Sequence, residues 1–156
     1  MARRLALDSN VALLLAVGRT SPELVTQHKR LRGYERGDFE LLEGMLAGTD
    51  SVVTTPLALS EISNLAPWGF SDPWRGRVVA SVRGLVNAFT EVYNPSRSLV
   101  SRPEFTRLGL ADCAWLALLD KSTTLITVDL DLYLEALAQG HKVTNFNHER
   151  TNRGLA

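Results

Sequence analysis

Cysteine is almost missing: Cys113 is the only one. An intrachain disulfide is therefore impossible, and a reducing, cytosolic compartment is the simpler expectation. Histidine is nearly as sparse. His28, His141 and His148 are scattered, and with a single thiol they make no zinc-ligand spacing. Net charge is also lacking, since 17 Lys and Arg balance 17 Asp and Glu. A globally basic nucleic-acid binder is excluded, and any basic surface must be local. No apolar run reaches the ~20 residues of a membrane helix, so no membrane association is expected. The apolar stretch from Leu5 to Val17 follows Arg3 and Arg4 but is interrupted by Asp8, Ser9 and Asn10. The apolar region of a signal peptide would not carry that charge. Internal repeats and low-complexity segments are absent.

What remains is 156 residues, of which 45% are apolar, enough for one domain with a continuous core. Its organising stretch is Leu5-Ala6-Leu7-Asp8-Ser9-Asn10-Val11. Leu5 to Leu7 suit a buried parallel strand, and Asp8 falls where that strand ends. Ser9 and Asn10 open a helix that runs through Val17 and is expected to stop at Gly18. A strand feeding directly into a helix is the first half of a βαβ unit, whose turn lies where open α/β sheets place their ligands. Asp8 is equally well placed as a plain helix cap.

Further along, Pro22 is expected to open a helix to about Arg30. Asp38 to Leu46 reads as a short helix, with Gly48 beyond its end. Ser51 to Thr55 is β-branched and is read as the second strand. Pro56 opens a helix holding Glu61, and the stretch Pro67 to Ser71 breaks it. Asp72-Pro73 then starts a longer helix, expected to reach Tyr93, with Val78, Val82, Leu85, Val86 and Phe89 on one face. Leu108 to Leu119 reads as an apolar helix, Thr124 to Asp129 as the third strand, Leu130 to Ala138 as a helix closed by Gly140, and Lys142 to Thr144 as a last strand. Residues 1–144 make the domain, and the polar tail 145–156 is expected to be loose. Alternating strands and helices predict an α/β fold with a parallel sheet.

The acids carry the chemistry. Asp8 and Asp129 end predicted strands, so a parallel sheet puts both on one edge. Glu61 lies within about two turns of a helix that starts at that edge. Asp112 shares a helical stripe with Leu108, Leu116 and Leu119. A carboxylate on an apolar stripe is costly unless it is paired or holds a cation. An ion pair to Arg107 or Arg83 is the alternative. In Asp129-Leu130-Asp131, either acid can cap the next helix while the other faces a cleft. Clustered carboxylates repel, and the usual remedy is a hard divalent cation with oxygen ligands, Mg²⁺ or Mn²⁺.

Four segments, Leu5-Ala6-Leu7-Asp8-Ser9-Asn10-Val11, Leu59-Ser60-Glu61-Ile62, Leu108-Gly109-Leu110-Ala111-Asp112-Cys113-Ala114 and Leu125-Ile126-Thr127-Val128-Asp129-Leu130-Asp131, resemble in order the motifs of PIN-domain nucleases. The likeness spans nearly the whole chain. It implies a three-layer α/β/α sandwich around a parallel sheet of four or five short strands, and Mg²⁺- or Mn²⁺-dependent cleavage of single-stranded RNA. By that resemblance Asp8, Glu61, Asp112 and Asp129 hold the metal, Asp131 is an auxiliary acid, and Asn10 and Thr127 orient the acids or a water. Ser9 stands where the family often has Thr, and Leu132-Tyr133 where it often has an aromatic soon after the last acidic pair. Neither departure removes a ligand. Many bacterial members are toxins of toxin–antitoxin pairs, which implies a tRNA or other RNA substrate, an antitoxin partner and a homodimer, the Pro67–Tyr93 region offering one surface.

Basic groups fall in three patches: Lys29, Arg30, Arg32 and Arg36; Arg75 and Arg77; and Arg97, Arg102 and Arg107. Arg30 and Arg32 are the candidate RNA contacts. Trp68, Phe70 and Trp74 either stack on bases or pack a hinge or a protein interface. Two other functions compete: a non-catalytic scaffold of the same fold that binds RNA or protein, and a phosphotransferase of the haloacid-dehalogenase type. The latter needs a second Asp two residues after the first, where Asn10 stands.

Overall fold

The computed structural model describes residues 2–155. Its strands are β1 (Arg4–Leu7), β2 (Ser51–Thr54), β3 (Thr90–Glu91), β4 (Thr123–Thr127) and β5 (Lys142–Asn145). They form one five-stranded sheet in the order β3-β2-β1-β4-β5, every pairing parallel. The helices are α1 (Ser9–Thr20), α2 (Arg36–Leu46), α3 (Pro56–Leu65), α4 (Trp74–Ala88), α5 (Ser96–Leu99), α6 (Phe105–Leu108), α7 (Leu110–Leu118), α8 (Leu130–Ala138) and α9 (Phe146–Asn152). None among the described residues is long and apolar enough to cross a membrane.

The layers follow from strand alternation. Successive side chains on a strand face opposite ways. Leu5, Leu7 and Ile126 pack against α1, α2 and α4, while Ala6, Val53 and Leu125 pack against α7 and α8. The result is a three-layer α/β/α fold. Helix α1 is buried on every side from Val11 to Gly18, as befits a helix that is apolar all round. Helix α3 joins both cores, through Ile62 on one side and Ala58 on the other. From β1 the chain builds outward first to β2 and β3, then to β4 and β5 on the other side. That reversal makes the carboxyl ends of β1 and β4 a topological switch point, where such sheets hold ligands.

Several expectations need correcting. Gly18 does not stop α1, which runs to Thr20. A Cβ at Gly18 would run into the Phe39 ring, so this glycine makes room for an aromatic from α2. Residues 22–31 are not one α-helix but two 3₁₀ segments, Pro22–Gln27 and Lys29–Leu31. Between them His28 is extended and buried. Its Nδ1 accepts from Arg30 N at 3.2 Å, so its Nε2–H donates to the Leu65 carbonyl at 2.9 Å. Helix α4 ends at Ala88, not Tyr93, and the chain turns extended at Phe89 to form β3. Two residues are too short to display a strand period. Val86 and Val79 on α4 are exposed, while Val78, Val82 and Leu85 are buried.

The tail is not loose over its described part. Phe146 is fully buried, and Arg150 pairs with buried Asp38 at 2.6 Å and stacks over Tyr34 with 4.4 Å to the ring centroid. The polar sequence hides this because its anchoring partners lie more than a hundred residues away.

Candidate functional site

A cleft of about 160 Å³ opens at the carboxyl edge of the sheet, lined by Asp8, Ser9, Asn10, Glu61, Ala111, Asp112, Trp115, Asp129 and Leu132. Four separate chain segments each bring one carboxylate to it. Asp8 arrives on the central strand, and its main-chain N–H donates to Ile126 O at 3.0 Å. Thr55 caps α3 by accepting from Ala58 N at 3.1 Å, and α3 carries Glu61 to the rim. Gly109, with φ of +85°, separates α6 from α7. It divides the stripe expected from Leu108 to Leu119 and puts Asp112 in the first turn of α7. There the helix dipole favours a negative charge. Asp129 follows β4 directly.

Asp8 is held most firmly. Its Oδ1 accepts from Val11 N at 3.0 Å, which caps α1, and its Oδ2 accepts from Val128 N at 2.9 Å and from the Thr127 hydroxyl. The capping role and the cleft role therefore coincide in one residue. Thr127 Oγ1 also accepts from Asp129 N at 3.0 Å. A single buried hydroxyl thus ties the carboxylate after β1 to the backbone after β4. Asp129 caps α8 by accepting from Leu132 N at 3.0 Å, so of the two candidate caps it is Asp129, not Asp131, that serves. Asp131 is exposed and does not line the cleft, although its charge is felt at Asp112.

Electrostatics mark the cleft as strongly anionic. Burial raises the pKa of Asp8, the hydrogen bonds from Thr127, Val11 and Val128 oppose that rise, and Asp129 adds repulsion. Asp112 is pushed up to about 6, first by burial and then by repulsion from Asp129, Asp8, Asp131 and Glu61. The ion pair considered for Asp112 does not form: Arg107 pairs with Glu135 instead. Indeed the ion pairs among the described residues use other acids throughout. Asp8, Glu61, Asp112 and Asp129 line one cleft, and among the described residues no ion pair reaches them.

The chain matches no protein-family model, no curated protein and no solved structure. The site must be read from its own chemistry. Oxygen-only donors on four segments suit a hard divalent ion. As they stand, however, no group of three or more His, Cys, Asp or Glu among the described residues is arranged to hold a metal ion. The donor set fits in kind and in location, but it is open. Like charges with nothing between them have no reason to draw closer.

Other expected residues lie elsewhere. Arg30 and Arg32 are outside the acid cleft; Arg30 lines a separate pocket with Asn64, Leu65 and Trp68, and Arg32 is exposed. Of the remaining basic residues, Arg36, Arg102 and Arg107 are taken up by Glu23, Glu104 and Glu135. Trp115 was not singled out from the sequence, and Leu132 entered only as part of a departure from the family pattern. Their spacing from Asp112 and Asp129, three residues in each case, is the helical signal that could have found them. A larger pocket of about 500 Å³, lined by Asp120, Lys121, Gln139, Gly140, His141 and Lys142, sits at the amino ends of β4 and β5. It is on the wrong edge for this chemistry.

Proposed function

We propose that the chain is an endoribonuclease of the PIN-domain type that cleaves single-stranded RNA with Mg²⁺ or Mn²⁺. One observation carries the reading: four carboxylates from four segments line one cleft at the switch point of a parallel sheet, and among the described residues no ion pair neutralises them. Asp8, Glu61, Asp112 and Asp129 would hold the ion. When bound, such an ion supplies Lewis acidity at a phosphodiester and offsets the charge that builds up there. The chain's own contribution is positional. Thr127 locks Asp8, and the Asp129 cap locks the start of α8. One of these carboxylates would take the proton of the attacking water. Asn10 at the rim would orient substrate or water, and Asp131 would shape the field without anchoring anything. Cleavage would leave a 5′-phosphate and a 3′-hydroxyl.

A role as the toxin of a toxin–antitoxin pair, a tRNA target, an antitoxin partner and a homodimer belong to the same proposal. For the dimer, the 67–93 region offers exposed Trp74, Val79 and Val86. The scaffold reading draws on the open arrangement of the acids. One assay separates the two. Purified protein should cut single-stranded RNA with Mg²⁺ or Mn²⁺ and stop in EDTA, and Asp8→Ala or Asp129→Ala should lower the rate by several orders of magnitude. RNA left whole with both metals, or cut equally well by the double variant, favours the scaffold.

A further inference from the structure

The pocket that takes Arg30 away from the acid cleft has a composition of its own. It measures about 340 Å³ and is lined by Arg30, Asn64, Leu65 and Trp68. Trp68 is 53% exposed, unusual for an indole. The Lys29 ammonium sits 5.7 Å from its ring centroid. This arrangement is built, not accidental. The buried His28 ring donates to the Leu65 carbonyl at 2.9 Å and accepts from Arg30 N at 3.2 Å. It thereby fastens the basic segment to the end of α3. A half-exposed indole with the Lys29 ammonium over its ring, a second cation and a side-chain amide are parts that can hold one base of a single strand by stacking, with its phosphate neutralised.

The position adds meaning. Glu61 of the acid cleft and Asn64 and Leu65 of this pocket lie three and four residues apart on α3. Such residues share a helix face. Trp68 lies seven residues after Glu61, just past the end of α3, a rise of roughly 10 Å at ~1.5 Å per residue, or about three stacked nucleotide steps of ~3.4 Å. We propose that the Trp68 pocket receives a nucleobase of single-stranded RNA about three nucleotides from the phosphate held at the acids. Lys29 and Arg30 would neutralise the connecting backbone. The proposal rests on the nuclease reading for what happens to that phosphate, but not for the stacking itself.

The test is binding of a short fluorescein-labelled single-stranded oligoribonucleotide to the full chain, in Ca²⁺ and again in EDTA. Trp68→Ala should weaken binding about 5- to 150-fold, the range that stacking on one aromatic covers. Trp68→Phe should restore most of it, and Trp74→Ala should have no effect. A probe with abasic positions should bind wild type as weakly as the intact probe binds Trp68→Ala. Thermal melts check that each variant folds, and the exposed indole predicts that they will. Unchanged affinity in Trp68→Ala, equal binding of the abasic probe, or no binding by wild type in either buffer would overturn the proposal. So would a Trp68 requirement for a protein partner alone. Trp68-dependent binding without cleavage would sink the nuclease reading and leave the pocket standing. Cleavage with Trp68-independent binding would do the reverse.

Discussion

Asp112→Asn should make the metal-free protein more stable, not less. The folded state holds the Asp112 carboxyl at about 6 rather than the ordinary 3.8, through burial and then the neighbouring acids. At ~1.36 kcal/mol per pH unit, that corresponds to about 3 kcal/mol of ionisation penalty. The side chain is only half-buried, so solvent screening brings the figure nearer ~1–2 kcal/mol. The benefit of a charge in a first helical turn, ~0.3–1 kcal/mol, is too small to reverse the sign. Because the folded pKa is raised, the penalty is absent below the unfolded value, builds as pH rises from about 4 to about 6, and is complete above that. Wild type and Asp112→Asn should therefore have similar stability at the acid end and diverge with rising pH. Above pH ~6–7 the variant should lead by ~1–2 kcal/mol, or roughly 3–6 °C in Tm for a chain of this size. The measurement is urea or thermal unfolding in EDTA across that pH range. A loss of ~3 kcal/mol would mean that Asp112 is a structural ion-pair partner, and a difference independent of pH would refute the repulsion argument.

Mn²⁺ or Mg²⁺ should raise the Tm of wild type by binding the native state, and Asp8→Asn should reduce that rise; titration calorimetry with no binding in the millimolar range would count against the acidic site. Thr127→Val leaves Asp129 N without its acceptor and Asp8 Oδ2 short of one donor, so it should cost about 1–3 kcal/mol and lower activity, while Thr127→Ser keeps most of both; denaturation and cleavage rates check this. Gly18→Ala should cost ~1–3 kcal/mol, because the added Cβ runs into Phe39, and a smaller residue at 39 should recover part of it. Arg150→Ala should cost about 3 kcal/mol by leaving Asp38 buried and unpaired, which a melting curve would show; no change would mean that α9 is held by Phe146 alone.

The sheet and its acidic edge were legible in the sequence because local signals agree there. Leu5 to Leu7 is a run that only a strand covered on both faces suits, and Thr124 to Val128 behaves alike. A parallel sheet then puts the acids after both on one edge without further information. Pro56 and the spacing of the next turns placed Glu61 correctly for the same local reason. Other features depend on partners distant in sequence. Gly18 reads as a stop, and only the Phe39 ring packed against it explains why the helix runs on. The 145–156 segment reads as polar and loose, and for its described part only Asp38 and the burial of Phe146 show otherwise. Asp112 looks stranded mid-stripe until Gly109, at positive φ, shows that its helix begins just before it. His28 had no role to read, because its two hydrogen bonds join a 3₁₀ turn to the end of α3. The pattern of apolar residues alone thus determined which edge of which sheet carries the charge. The openness of the acids, the lock that Thr127 puts on Asp8 and the separate Trp68 pocket were decided by tertiary packing, because each needs side chains that only folding brings within hydrogen-bonding or stacking distance.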